Sequence, residues 1–115
     1  MEYEVVFKPL YSKDVDVLYA WVYNIVSVTP PVSIAHDYDL SIDVGDEEII
    51  VLDLNKEGFV IGVEIVGVRR LFNTFPDFVK VVFDSGSGKL NSARVIAVFG
   101  DGEEVIAEYK VQNHG

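Results

Sequence analysis

No cysteine occurs in the 115 residues. Disulfides, thiolate zinc sites, iron–sulfur clusters and cysteine nucleophiles are therefore excluded. Histidine is nearly as scarce. His36 lies in an acidic stretch and His114 sits beside the last residue, a spacing that suggests no triad and no two-histidine metal site. No apolar run reaches the ~18 residues that span a bilayer. The longest, Phe59 to Val68, is interrupted by Gly62, Glu64 and Gly67. The first residues, Met1 to Glu4, are acidic and strand-like, without the basic start and apolar core of a signal peptide. A cytoplasmic protein is expected. Bases are few as well: nine Lys and Arg face nineteen Asp and Glu, for a net charge of −10. Such a chain is repelled by nucleic-acid backbones and anionic lipid, so neither is an expected partner.

Apolar residues are plentiful. Half the chain is hydrophobic, and its length suits one domain over residues 1–115 with a core of its own. The charge is unevenly spread. Residues 1–58 carry twelve acids and three bases, whereas residues 59–115 carry seven and six. The densest patch is Asp37, Asp39, Asp43, Asp46, Glu47 and Glu48. A solvated face is the plain reading of such a block, and a contact for a basic partner is the functional one.

The hydrophobic period is two. Strands are predicted over Tyr3–Phe7, Val17–Val26, Glu48–Leu54, Phe59–Val68, Phe78–Asp84, Ser92–Phe99 and Glu104–Val111, with a further one within Ser33–Ile42. Thr29-Pro30-Pro31 is a break, because two prolines remove consecutive ladder donors. The short loop ending in Gly58 predicts a hairpin, and Asp101-Gly102 predicts another. Arg69 to Asn73 suits one helical turn, Ser85 to Gly88 a flexible loop, and Gln112 to Gly115 a frayed tail. The class is mainly β: an antiparallel meander of about seven strands with at most one short helical turn, α+β being the alternative. Strands 59–68, 78–83 and 93–99 are apolar on both faces. A single open sheet would leave one such face in water, so the sheet must curl into a barrel, fold into two layers, or meet a second copy; with one helical turn as the only cover, barrel-like closure or a dimer is the expected answer.

Several motifs invite a function. Asp53, Asn55, Glu57, Gly58 and Glu64 approach the calcium-loop spacing. Strands on both sides, in place of helices, argue for a plain hairpin, with Glu64 pointing along its strand away from Asp53. Asp14 with Asp16, and Asp37 with Asp39, place paired carboxylates at exposed edges, where solvation is the simpler reading. Tyr19, Trp21 and Tyr23 form an aromatic stripe on one strand face, read as core filling or a subunit contact. Arg69-Arg70 is a lone basic pair that suits the following turn or the acidic patch. No phosphate-binding glycine motif is present. No catalytic, cofactor-binding or metal-ligating residue emerges, no cofactor is implied, and an enzyme is not expected.

Asp14-Val-Asp16-Val-Leu-Tyr19-Ala-Trp21-Val22 and Ile50-Val-Leu-Asp53 through Gly58, Gly62, Glu64 and Val66 resemble the uncharacterised prokaryotic domain family DUF 2283. The match covers about residues 5–70, and residues 77–112 add a β extension. The resemblance supports the hairpin at Gly58 and implies no activity. Gly62 and Glu64 share a strand face, where a glycine permits close approach and a glutamate can accept a hydrogen bond across the sheet. The function these readings favour is a non-enzymatic, homodimeric interaction module with an acidic surface, its expected partners a second copy or a basic protein. A small-ligand-binding β domain lined by Trp21 and its tyrosines is the alternative.

Overall fold

A computed structural model describes residues 1–111. The alternating pattern forms ten strands: β1 (Glu2–Phe7), β2 (Leu10–Ser12), β3 (Val17–Ala20), β4 (Ile25–Thr29), β5 (Tyr38–Asp43), β6 (Ile50–Asn55), β7 (Val60–Val66), β8 (Phe78–Gly86), β9 (Lys89–Phe99) and β10 (Gly102–Lys110). A single α-helical turn, α1 (Val68–Leu71), follows β7, and a 3-10 turn spans Val22–Asn24. All pairings are antiparallel. The strands make two five-stranded sheets, ordered β10-β9-β8-β1-β4 and β2-β3-β7-β6-β5. Of the ways to cover a two-sided apolar strand, the chain takes the two-layer one, and no barrel closes. No helix among the described residues is long and apolar enough to cross a membrane.

The first four strands are one long hairpin that bends. Its outer half, β2 with β3, lies in the second sheet, and its inner half, β1 with β4, lies in the first. The expectation of an unbroken strand over Val17–Val26 fails here. Phe7 pairs with Ile25 and Leu10 with Tyr19, so the second arm takes six steps where the first takes three. The 3-10 turn absorbs the excess. Asn24 fastens it: the Trp21 N–H donates to Asn24 Oδ1 at 2.8 Å, and the Asn24 N–H donates to the Trp21 carbonyl at 2.8 Å. Opposite, Pro9 separates β1 from β2 and cannot supply a ladder donor.

Each half of the bent hairpin carries a three-stranded meander. β5-β6-β7 docks on β3, and β8-β9-β10 docks on β1. The inner faces meet in one core, with Val5, Phe7, Leu52, Ile61, Ile65, Val79, Val81 and Phe83 almost fully buried. Phe59 stands between the layers, its ring 5.0 Å from Tyr3 and 4.9 Å from Phe83. Gly58 has φ 76°, as a turn glycine should. It also lies against a second turn, where a Cβ would come within 2.8 Å of the Lys89 backbone. That second turn corrects the flexible loop expected at Ser85–Gly88. Ser87 and Gly88 both have positive φ and form a tight two-residue connection between β8 and β9.

Asn55 is almost wholly buried and organises the β6–β7 hairpin. Its Oδ1 accepts the Glu57 and Phe59 N–H groups at 2.9 and 3.0 Å, and its Nδ2 donates to the Ala35 carbonyl at 2.9 Å. The apparent calcium-ligand position is thus a turn cap. Asn55→Ala strands these backbone groups and is expected to cost about 2–3 kcal/mol in urea unfolding. An unchanged midpoint would remove Asn55 from this role.

Candidate functional site

The outer face of the second sheet carries the site. In β3 and β7 the core-facing residues are Leu18, Ala20, Val63 and Ile65, which leaves Tyr19, Gly62 and Glu64 outward. One irregularity decides what stands beside them. Leu54 pairs with Val60, yet Asp53 pairs with Gly62, so Ile61 is an extra residue in β7. Such a bulge reverses the facing of everything beyond it. It sets Asp53 on the same outer face as Glu64, against the expectation that the two point apart. A second bulge at Asp39 turns Tyr38 onto that face with Ser41.

Tyr19, Trp21, Tyr38, Ser41, Asp53 and Glu64 thereby line one depression of about 290 Å³. The Trp21 and Tyr38 ring centres are 6.4 Å apart. Trp21 lies directly over Gly62: a Cβ there would sit 2.7 Å from Trp21 Cε3 and 2.8 Å from Asp53 Oδ2. The close approach that Gly62 permits is that of an indole and a carboxylate, rather than of backbone. Asp53 is only 6% exposed. Its Oδ1 accepts the Ser41 hydroxyl at 2.6 Å, and Ser41 Oγ is also 2.8 Å from the Tyr38 hydroxyl. Oδ2 receives no hydrogen bond among the described residues. Partial burial, and then the negative charge of Asp53, push the Glu64 carboxyl above its ordinary range.

The remaining sequence candidates scatter. The aromatic stripe is not core, because the bend divides it: Tyr19 is 39% and Tyr23 79% exposed, and Trp21 is half-buried. His36 meets Tyr23 edge-on at 5.5 Å, and His114 and the rest of the tail lie outside the described residues. Asp16 is not a solvated edge. Its carboxylate accepts the Tyr11 hydroxyl at 2.7 Å and the Arg69 N–H, and its carbonyl accepts the Gly67 and Val68 N–H groups, tying the β2–β3 turn to α1. Arg69 Nε stands 4.0 Å from Asp16, while Arg70 shares a cleft with Glu47 and Glu48. Asp37, Asp39, Asp46 and Glu47 are exposed. Among the described residues no three His, Asp or Glu side chains converge as a metal site would require.

Two carboxylates beside aromatic faces are suited to holding a cation. Ring faces attract ammonium and guanidinium groups, and an acceptor held in a low-dielectric surround strengthens the attraction. No protein-family profile, curated protein or solved structure matches this chain.

Gly62→Ala is expected to displace Trp21 or Asp53 and to cost about 1–3 kcal/mol, read by urea unfolding with a shifted Trp21 emission. The raised Glu64 pKa means that the folded state binds its proton more tightly than the unfolded chain does. Ionised Glu64 therefore opposes folding, and the penalty fades as pH falls through the raised value toward the ordinary one. Glu64→Gln is expected to stabilise the protein near neutral pH, by no more than about 0.5 kcal/mol because water screens an exposed group. The gain should vanish below about pH 4. An equal gain at both pH values would contradict this origin.

Proposed function

We propose that the protein is a non-enzymatic, cytoplasmic interaction module that holds a cationic side chain of a basic protein partner against the outer face of its second sheet. One observation carries this reading. Asp53, itself nine-tenths buried, presents an unbonded Oδ2 to a depression walled by Trp21, Tyr19 and Tyr38. A guanidinium suits such a place, since it stacks on a ring while its N–H groups, in its own plane, stay free to donate. Each charge-assisted hydrogen bond contributes about 1.5–3 kcal/mol. The net charge of −10 draws a basic partner inward and makes the association weaken with salt. The resemblance to DUF 2283 adds no activity to this reading.

A peptide with one central arginine is expected to quench Trp21 fluorescence. Asp53→Asn should weaken its binding about tenfold. A peptide with citrulline in place of arginine should not bind. Equal binding of the two peptides would overturn the reading.

A different observation supports self-association as well. β4 is an edge strand of the first sheet, and no Asp, Glu, Lys or Arg occurs between Asp16 and Asp37. Two chains of net −10 repel least along such an uncharged edge, where Val26 is 56% exposed. Native mass spectrometry is expected to show twice 12.8 kDa. Val26→Lys should return the monomer, and a monomeric parent protein would exclude the dimer.

A further inference from the structure

Four strands end the two sheets, and they differ in what they admit. β2 is only three residues long. β10 carries Glu103, Glu104, Glu108 and Lys110, charges of both signs. β4 carries none. β5 is bordered by acids alone: Asp37, Asp39 and Asp43, then Asp46 and Glu47 across the next turn. Asp43 is engaged locally, its Oδ1 accepting the Gly45 and Ile50 N–H groups. Asp37, Asp39, Asp46 and Glu47 enter no ion pair among the described residues.

β5 pairs only with β6, and five of its six residues are exposed. Its outward backbone groups have no partner among the described residues. Exposed edges are templates for a further strand, and like charges along an edge bar a second copy. The acids that exclude another copy of this chain attract a basic segment. The same strand also forms one wall of the depression, through Tyr38 and Ser41.

We infer that the partner's cation is carried on an extended basic segment that adds to β5 as a further strand of the second sheet. This inference rests on the proposed cation site and gives the partner its form. Main-chain hydrogen bonds to β5 supply affinity, and one side chain pointing to the outer face supplies specificity. From an added strand to β6 is two strand spacings, roughly 10 Å. Only a long side chain crosses that distance over Ser41. The Ser41 bond keeps one oxygen of Asp53, Oδ1, on the β5 side, while the free Oδ2 lies toward Gly62 of β7, so the crossing side chain must be long enough to pass Ser41 and reach it. Arginine and lysine are the residues long enough and of the right charge. Acids on either side of β5 then meet further bases along the segment.

The test compares two peptides as long as the six residues of β5, each with a central arginine, one of them N-methylated at the amides that would face the edge. N-methylation keeps the arginine and removes the ladder donors. The unmodified peptide is expected to quench Trp21 and to slow amide exchange in β5, and N-methylation should weaken it about tenfold or more. Equal affinity of the two, with β5 exchange unchanged, would overturn strand addition and leave the cation site standing. If neither peptide quenches Trp21, the cation site and the strand addition both fall. Arg→Glu in the unmodified peptide should abolish binding through repulsion by the acids around β5, and retained binding would also overturn the inference.

Discussion

Everything in this fold hangs on a bend in its first hairpin. Two strands that begin together in one sheet must finish together in the other, and the turn at Val22–Asn24 takes up the unequal lengths of the two arms. The hydrogen bonds between Trp21 and Asn24 fix that turn. Because each sheet grows from one half of the same hairpin, the joint sets how the layers face each other and where their shared core lies. It also places the only tryptophan. Trp21 stands where the chain leaves the second sheet, half-buried beside Gly62, and the candidate site is built around it.

The site therefore borrows its rigidity from the scaffold. Trp21 is held by the joint, Asp53 by Ser41, and Gly62 is the space that lets both approach. A cation-binding surface works best when its acceptors are oriented before the ligand arrives, since the ordering cost is then met by folding. Buried Asp53 and outward Glu64 divide the labour. One is little exposed and held by the Ser41 hydroxyl, and the other is open to water with its proton held more firmly than usual. Neither residue is suited to this alone; the Ile61 bulge makes them neighbours.

Much of the frame was legible in the sequence, because it follows from local rules. Period-two alternation gave strands, and Gly58 and Asp101-Gly102 gave hairpins, although the second turn sits one residue earlier, on Gly100-Asp101. Two-sided apolar strands called for cover by a barrel, a second layer or a second copy, and the chain takes the second layer. The bend was hidden because Tyr19, Trp21, Tyr23 and Ile25 keep alternating straight through it. The pairing of Asp53 with Glu64 was hidden for a related reason, since one inserted residue reverses the facing of a strand. A signal existed: Val63 and Ile65 continue an alternation with which Val60 is out of phase, and Gly62 sits at the slip. Edge strands and their unbonded backbone are properties of sheet order, which no single segment records.

The seam between β1 and β8 joins parts of the chain that are far apart in sequence, Glu2 with Asp84 and Phe7 with Val79. The two meanders are made of near neighbours and lose little loop entropy as they form. The seam must close a loop spanning most of the chain before it returns any contact energy. Time, more than energy, is what this arrangement costs. Assembly waits on this long-range encounter and on the shorter one of β3 with β7, and until each happens the apolar inner face of its meander stands open to water.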